Sequence, residues 1–279
     1  MPELPEVEVT RQRLAPAWIG RRITRVVTGP PSYFFLTPPA LLAERLRGRT
    51  TTDLTRHGKY LLATFDDGSR LLCHLGMTGQ LFICTSAEAQ RLLRADPHVH
   101  LALALRDATG ERRSVVFRDV RKFGKVQWLA PGVDPERLAK MGPDALRITP
   151  RALHAALALR GVPIKTALLD QSVLAGVGNI YADEALFLAA LHPLRPARTL
   201  SLAECEALVR SLRRVLRAAI RAGGSTISDF RGADGAPGSY QDDHRVYGRP
   251  GLPCPTCSAP IARIVLAQRS THFCPRCQG

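Results

Sequence analysis

The residues whose types most clearly suit catalysis lie at the start of the chain, which reads Met-Pro-Glu-Leu-Pro-Glu-Val-Glu. Removal of the initiator Met would leave Pro2 with a free secondary amine, whose pKa is expected near the ordinary α-amino value of about 8. Such an amine is partly neutral at physiological pH and can attack an aldehyde-like carbon to form an iminium ion. Glu3 follows it and could give or take protons. The same residues could instead only begin a helix, which proline and nearby acids both favour.

Four cysteines near the C-terminus form the second group, with the spacing Cys254-x2-Cys257-x16-Cys274-x2-Cys277. Paired cysteines of this kind are typical of a structural zinc site, in which four thiolates complete a tetrahedron. His272 could replace one thiol as a ligand, although four well-spaced thiols favour the all-cysteine set. A disulfide framework is the competing interpretation, and the odd total of seven cysteines argues against it. We therefore expect one structural Zn2+ ion and a reducing cytosol.

Two further stretches could bind an anion. Between the cysteine pairs, Arg269 would lie near the tip of an expected hairpin and present its planar guanidinium group to phosphate. In residues 176–179, Gly-Val-Gly-Asn, the glycines would let backbone N–H groups approach an anion, and Asn179 could cap the following helix. Taken alone, the arginine could be a solvated surface charge and the glycines an ordinary turn.

The charge of the chain favours a polyanionic partner. The formal net charge is +15 and the isoelectric point is about 10.3, which most simply indicates nucleic acid, although a generally basic surface would give the same value. No apolar run approaches the ~20 residues that span a bilayer, and the acidic N-terminus does not resemble a signal peptide. We expect no membrane association and a cytoplasmic location.

The hydrophobic pattern divides the 279 residues into a β-rich part and a helical part. Residues 3–14 predict an amphipathic helix. Short alternating runs then predict an antiparallel sandwich or barrel, with turn signals at 66–68 and 107–110 and two interrupting helices near 40–46 and 87–93. The predicted strands cover residues 23–27, 51–54, 60–65, 70–74, 81–84, 99–106, 114–117 and 125–128.

The second part of the chain carries helix signals. Thr149 and Pro150 suit the N-cap and first position of a helix over 151–160, and Ser201 with Glu204 predicts a capping box before a long helix that ends at Gly223. Residues 225–238 are rich in Gly, Ser and Asp and predict a flexible loop. The expected organisation is a domain over 1–134, a connector over 135–148, a helical domain over 149–246 and a zinc module over 247–279.

A series of motifs in a fixed order makes the interpretation specific. The N-terminal Pro-Glu-Leu-Pro-Glu-Val-Glu is followed by His-Leu-Gly-Met-Thr-Gly at 74–79, Arg-Lys-Phe-Gly at 121–124, Leu-Asp-Gln at 169–171, the glycine turn, Val-Tyr-Gly-Arg at 246–249 and the four-cysteine finger. This set, which spans almost the whole chain, resembles the bacterial formamidopyrimidine-DNA glycosylases, which excise 8-oxoguanine and ring-opened purines. The resemblance implies an α+β multidomain fold: an N-terminal antiparallel β-sandwich, a helical domain with a helix–two-turn–helix element, and a C-terminal zinc-finger β-hairpin.

The resemblance also implies a catalytic group. Pro2 would attack C1′ of the damaged nucleotide, and Glu3 would donate the proton that helps to open the sugar ring. Lys59 matches the family's lysine near the lesion phosphate and sugar, and Arg269 matches a ligand of the phosphates beside the flipped nucleotide. The expected reaction is base displacement by Pro2 followed by β- and δ-elimination, with no redox cofactor or catalytic metal.

A second implied group contacts duplex DNA. Met77, Arg121 and Phe123 would fill the gap that the extruded base leaves, with Arg121 reading the orphaned cytosine. Met77 and Phe123 could instead be core residues, but their glycine-bounded segments favour exposure. His98 is also expected to contact DNA, without a defined role, and three further residues, Lys165, Asn179 and Tyr247, are expected to bind phosphate. The full set of expected DNA contacts is Met77, His98, Arg121, Phe123, Lys165, Asn179 and Tyr247.

Two other functions remain open from the sequence. A relative of endonuclease VIII would use the same Pro–Glu chemistry on oxidised pyrimidines, whereas a non-catalytic zinc protein would bind DNA without needing a free Pro2. Glu6 could orient Pro2 or cap helix N–H groups. Val120 stands where the family pattern suggests proline, which affects the expected shape of the Arg121 loop. We expect a monomer that acts on damaged double-stranded DNA at the bacterial nucleoid.

Overall fold

The computed structural model describes residues 1–226 and 237–279, and these form two compact units. The first unit contains Met1–Leu138 with Gly223–Gly238, and the second contains Ala139–Ala222 with Ser239–Gly279. The cysteine-rich segment therefore belongs to the same compact unit as the helices. Most of the flexible loop expected over 225–238 lies outside the described residues.

The first unit is an antiparallel β-sandwich, one of the two architectures that the strand pattern predicts and the one that the resemblance implies. One sheet has the strand order β1-β6-β7-β5 and the other has the order β2-β3-β4-β8, and every pairing is antiparallel. Helices also accompany the strands. In chain order the elements are α1 (Leu4–Trp18), β1 (Arg22–Thr28), α2 (Pro39–Leu46), β2 (Thr51–His57), β3 (Tyr60–Phe65), β4 (Arg70–His74), β5 (Gly79–Cys84), α3 (Ser86–Ala95), β6 (Val99–Arg106), β7 (Arg112–Asp119) and β8 (Lys125–Leu129).

The core of the sandwich explains why these strands form. Alternate strand residues point to the space between the sheets, where Leu61, Leu103 and Phe117 are fully buried. Helix α1 contributes Leu14 and Trp18 to the same core, and it extends four residues past the predicted end. Burial of apolar surface at ~25 cal/mol per Å² is the main force that holds this layer together.

The second unit is helical and ends in a β-hairpin. Thr149 caps its first long helix by accepting a hydrogen bond from the N–H of Ala152 at 3.2 Å. Ser201 and Glu204 form the predicted capping box. After the short α4 (Glu136–Ala139) at the junction, the elements are α5 (Pro150–Leu157), α6 (Ile164–Leu169), α7 (Asn179–Leu188), α8 (Leu202–Arg221), β9 (Ala262–Leu266) and β10 (Arg269–Phe273), with 3₁₀ turns at Ala197–Thr199 and Tyr240–Asp243.

The sequence did not predict α6, because six residues without a periodic apolar face carry little signal. Among the residues that the structure describes, no helix combines the length and apolar character needed to cross a membrane.

Candidate functional site

The candidate residues fall into one group in each unit. Pro2 and Glu3 are buried where helix α1 begins, and Glu3 is the N-cap residue of that helix. The Glu6 carboxylate accepts the backbone N–H of Glu3 at 2.8 Å through Oε2 and that of Ser225 at 2.8 Å through Oε1. Glu6 thus caps the helix and also anchors the segment that enters the predicted loop. Met1 precedes Pro2, so the proline nitrogen becomes a free amine only when Met1 is removed.

Lys59 stands in the tight turn between β2 and β3. Its neighbour Gly58 adopts a positive φ of 54°, which a glycine accommodates without strain. Arg56 donates to the carbonyl of Gly58 at 3.0 Å and to the Glu8 carboxylate at 3.0 Å. Burial alone would raise the pKa of Glu8, but hydrogen bonds and charges from Arg11 and Arg56 hold the pKa below its usual value. Glu8 therefore fixes the Lys59 turn against helix α1.

Two loops of the sandwich present the residues expected to fill the DNA gap. The side chains of Met77 and Phe123 are 40% and 43% exposed, which confirms the prediction that they lie at the surface. The guanidinium group of Arg121 lies 4.5 Å from the centroid of the Phe123 ring. At Gly76, an added Cβ would lie 2.4 Å from the backbone nitrogen of Gly124, so the two loops touch only because this residue has no side chain.

A buried carboxylate, which sequence reasoning missed, holds these loops in place. Asp119 is fully buried and its Oδ1 accepts the hydroxyl of Thr78 at 2.6 Å. Its Oδ2 accepts the N–H of Gly124 at 2.7 Å, and Oδ1 accepts that of Arg121 at 3.3 Å. The hydrogen bonds of Asp119 therefore fix the shape of this loop although position 120 is valine and not proline. The position of Asp119 two residues before the Arg-Lys-Phe-Gly motif was the signal available in the sequence.

Backbone strain marks the tip of the same loop. Lys122 has a φ of 58°, a left-handed conformation that is uncommon for a residue with a side chain. Tyr33 supports the loop by donating its hydroxyl to the carbonyl of Arg121 at 2.8 Å. His98 lies at the other side of Asp119, because its carbonyl accepts the N–H of Asp119 at 2.8 Å. The structure therefore brings His98 close to the loop that carries Arg121.

His74 connects the β4 strand to the Met77 loop. Its Nδ1 accepts the N–H of Gly76 at 3.1 Å, which requires an unprotonated nitrogen. Burial, together with the positive charges of Lys59 and Lys125, lowers the pKa of His74 from 6.5 to about 4. The ring is therefore neutral at physiological pH and orders the start of the loop as a hydrogen-bond acceptor.

In the second unit, the glycine turn is organised by Gln171. Its Oε1 accepts the N–H of Gly176 at 2.9 Å, and its Nε2 donates to the carbonyl of Val177 at 2.9 Å. The N-cap of helix α7 is Gly178, and Asn179 is the first helical residue. The expectation that Asn179 caps the helix was wrong, because the glycine already adopts the extended cap conformation.

Asn179 contacts strand β10, which begins at Arg269, although the two residues are 90 positions apart in the chain. The Nδ2 of Asn179 donates to the hydroxyl of Ser270 at 3.3 Å, and Arg269 precedes that serine as an exposed residue at the tip of the β9–β10 hairpin. The N-terminus of α7, where Asn179 lies, carries a partial positive charge that also favours an anion. This arrangement can bind a phosphate.

Lys165 is placed differently from the expectation. Its side chain is 1% exposed, and its Nζ lies 2.7 Å from Oδ1 of Asp183. The same amine donates to the carbonyl of Ser270 at 2.7 Å and to the hydroxyl of Thr271 at 2.9 Å. With its charge buried among these partners, Lys165 does not present an amine to solvent as a phosphate ligand would. Its contacts instead fasten strand β10 beside helix α7.

Two adjacent carboxylates of α7, also missed from sequence, complete this fastening. Asp183 accepts the backbone N–H of His272 at 2.9 Å. Glu184 accepts the backbone N–H groups of Arg245, Val246 and Tyr247 at 2.9–3.0 Å. Burial raises the pKa of Glu184 despite these bonds. Tyr247 is half-buried, with its ring centroid 5.0 Å from that of His272.

The four cysteines converge as a metal site requires. Their sulfur atoms all lie within 4.8 Å of one another. The Sγ atoms of Cys254 and Cys277 are 3.9 Å apart, and those of Cys257 and Cys274 are 3.5 Å apart. Zn–S bonds of ~2.3 Å in a tetrahedron require sulfur separations of about 3.8 Å. The residues therefore fit one structural zinc ion, and all four are free thiols in place of the alternative disulfides.

Comparisons with known proteins cover the whole chain. The model of the formamidopyrimidine-DNA glycosylase N-terminal domain matches residues 1–126, that of the formamidopyrimidine-DNA glycosylase H2TH domain matches 141–231, and that of the zinc finger found in FPG and IleRS matches 251–279. A formamidopyrimidine-DNA glycosylase of Thermomicrobium roseum is 47% identical, with 100% of this chain and 99% of the relative covered.

Solved structures agree with these matches. The crystal structure of the MutM (Fpg) protein from Thermus thermophilus is 43% identical with a TM-score of 0.85, covering 100% of this chain and 99% of that one. A complex between the Lactococcus lactis Fpg (MutM) and DNA containing Fapy-dG is 33% identical with a TM-score of 0.84, covering 99% of each chain. With its β-sandwich, its helical domain and its four-cysteine finger all matched in order, the chain belongs to the formamidopyrimidine-DNA glycosylase family.

Proposed function

We infer that this protein is a bifunctional DNA glycosylase and abasic-site lyase of base excision repair, which excises oxidised purines from duplex DNA. The observation that carries this inference is the match of all three domains to one family, at 47% identity to a formamidopyrimidine-DNA glycosylase over the full chain. The Lactococcus lactis relative binds DNA that contains Fapy-dG, which favours ring-opened purines and 8-oxoguanine as substrates here.

The proposed chemistry begins at Pro2 once Met1 has been removed. The free proline nitrogen attacks C1′, the C1′–N bond to the damaged base breaks, and Glu3 protonates the ring oxygen as the sugar opens. The resulting iminium ion acidifies the C2′ hydrogen, so that the 3′ phosphate leaves by β-elimination and the 5′ phosphate by a second elimination. Burial of Glu3 supports this role, because a carboxyl group in a dry site transfers protons to a substrate without competition from water.

The exposed loop residues are suited to extract the damaged nucleotide. A base inside the stack hides its glycosidic carbon, so the enzyme must turn the nucleotide out and occupy the gap. Met77 and Phe123 supply apolar surface for that gap, and Arg121 offers paired donors to the base that is left without a partner. The hydrogen bonds of Asp119 hold the loop before DNA binds, which lowers the entropic cost of ordering it.

The phosphate backbone is bound by a separate set of groups. In the second unit, Arg269 at the tip of the hairpin and Asn179 at the start of α7 are proposed to bind backbone phosphate, and Asn179 contacts Ser270, the neighbour of Arg269. Lys59 in the first unit is proposed to contact the phosphate and sugar of the lesion. Cys254, Cys257, Cys274 and Cys277 would hold a zinc ion that braces the segments on either side of the hairpin that carries Arg269. Such an ion would take no part in the chemistry, since four thiolates would leave no open coordination position.

Borohydride trapping tests the proposed nucleophile directly. Protein with a free Pro2 is expected to form a covalent adduct with duplex DNA containing 8-oxoguanine, and mass spectrometry should assign the adduct to the N-terminal peptide. A matched form that retains Met1 should form none. Excision by protein whose first residue is retained or blocked would refute the mechanism, and absence of any adduct would support the non-catalytic zinc protein instead.

A comparison of lesions tests the substrate class. Cleavage of a duplex with 8-oxoguanine opposite cytosine should be much faster than cleavage of the same duplex with thymine glycol. The reverse order would indicate the endonuclease VIII type of activity. We also propose that the protein acts as a monomer. Because its substrate is chromosomal DNA, we propose that it acts in the cytoplasm at the nucleoid.

A further inference from the structure

Three arginines form a row across one end of the β1-β6-β7-β5 sheet. Arg22 of β1 lies directly opposite Arg106 of β6, and Arg106 lies directly opposite Arg112 of β7. Directly opposed residues point to the same face of a sheet, and like charges in such pairs repel. All three residues are exposed. The fold therefore accepts mutual repulsion at this position without an acidic residue in the row.

A shallow cleft beside the row is lined by more arginines. A part of about 480 Å³ is bordered by Arg25 and Arg47, and a part of about 340 Å³ is bordered by Arg47, Arg22 and Arg106. Both parts share Thr24 and Arg47, so they form one continuous depression along the edge strand β1. We call this depression with the arginine row the β1 basic cleft.

The acidic residues of the β1 basic cleft do not neutralise it. Asp107 lies 3.2 Å from Arg21, outside the row, and Glu44 lies 3.9 Å from Arg45. In the part of the chain that the structure describes, no ion pair involves the four arginines that line the cleft or Arg112. Arg22 donates its Nε to the carbonyl of Gly48 at 3.0 Å, which orients the guanidinium group but leaves its charge uncompensated.

The β1 basic cleft is distant from the loops that fill the DNA gap. Strand β7 begins at Arg112 and ends at Asp119, which anchors the Arg121 loop. Seven residues of strand at ~3.3 Å each separate the two ends by about 23 Å. This separation exceeds the reach of any side chain, so a phosphate in the cleft is a different phosphate from any that the Arg121 loop contacts.

We propose that the β1 basic cleft is a second binding surface for the phosphate backbone of duplex DNA, able to hold a second duplex segment while the lesion site is occupied. The inference goes beyond the proposed excision activity, and binding of the second duplex is measured without base excision. Uncompensated arginines are the groups that bind backbone phosphates with counterion release. Their open, continuous cleft suits a long polyanion better than a small anion, which an enclosed site would hold.

The variant Arg106→Gln/Arg112→Gln tests the proposal, because neither side chain has a hydrogen bond or ion pair to lose in the described residues. Protein saturated with a short unlabelled duplex that carries an uncleavable abasic-site analogue is titrated with a fluorescent undamaged duplex of about 30 base pairs, which offers ample length for backbone contacts. Wild-type protein should bind the second duplex, and the variant should bind it more weakly. Two lost phosphate contacts reduce the slope of log affinity against log salt concentration by about 1.8, so the ratio of wild-type to variant affinity should shrink about tenfold between roughly 50 and 200 mM salt.

A matched control removes two arginines that carboxylates already neutralise. Arg49 lies 3.0 Å from Asp67 and Arg113 lies 2.8 Å from Glu111, so Arg49→Gln/Arg113→Gln changes the net charge equally but should leave second-duplex binding near the wild-type value. The cleft variant should melt no lower than wild type, since a repulsive pair is removed, and should excise 8-oxoguanine from a short duplex at the wild-type rate. Failure of wild-type protein to bind a second duplex, or equal weakening by both variants, would overturn the proposal.

Discussion

Loss of the Lys165 charge should destabilise the second unit and weaken DNA binding together. In Lys165→Met the side chain keeps most of its volume, but Asp183 loses the amine that lies 2.7 Å from its Oδ1. Both groups are almost completely buried. Removing one partner of a buried ion pair costs about 3–5 kcal/mol, because the remaining charge is left without compensation. For a unit of this size the loss corresponds to a decrease in Tm of roughly 10–20 °C.

Calorimetry and DNA-binding measurements on a double-mutant cycle provide the assay. Asp183→Asn should be destabilising on its own, whereas the combination with Lys165→Met should cost clearly less than the sum, since no charge then remains unpaired. Both single variants should also weaken the binding of lesion DNA, because strand β10 carries Arg269 and is fastened by these two residues.

The alternative role for Lys165, direct phosphate binding, gives a different pattern. It would lower the salt slope of binding by about 0.9 in Lys165→Met, leave the Tm nearly unchanged and show no coupling to Asp183. That set of results would refute the reasoning from burial.

Three further predictions concern other parts of the site. The contribution of His74 to the unfolding free energy of the first unit should be fully present above pH 6.5 and fall by up to about 3 kcal/mol as the pH decreases to about 4, because the unfolded chain takes up a proton that folded His74 does not. The variant His74→Asn, which keeps an acceptor for Gly76, should reduce the pH dependence of the unfolding free energy measured with urea over this range. An unchanged pH dependence would contradict the assignment. Arg121→Ala should reduce discrimination among the four opposite bases by about 10- to 100-fold, with a smaller effect on excision opposite cytosine, and an intact preference in single-turnover assays would exclude its reading role. Cys254→Ser should lose zinc, measured by atomic absorption, and bind DNA weakly while the β-sandwich retains its near-ultraviolet circular dichroism, whereas retained zinc with full affinity would show that the metal site was assigned wrongly.

Local signals gave reliable expectations because they depend on near neighbours in the chain. The turn at residues 66–68 joins β3 to β4, and the hydroxyl of Thr149 caps α5 at the predicted residue. The cysteine pairs required only short gaps and a hairpin between them. Exposure of Met77 and Phe123 also followed from local sequence, since the glycines beside them interrupt the strands.

The amino-acid sequence by itself determined the division into β-rich and helical parts, the caps at Thr149 and Ser201, the zinc ligands and the order of motifs that defines the family. Only the tertiary structure decided which charged side chains remain at the surface and which are buried in ion pairs and hydrogen bonds. Lys165 and Asp119 became positioning groups because folding removed them from water and supplied partners. The meeting of Asn179 with Ser270, and the arginine row across three strands, depend on pairings between segments far apart in the chain. The electrostatic role of a residue is set by such distant partners and by desolvation, and neither is encoded in its immediate neighbours.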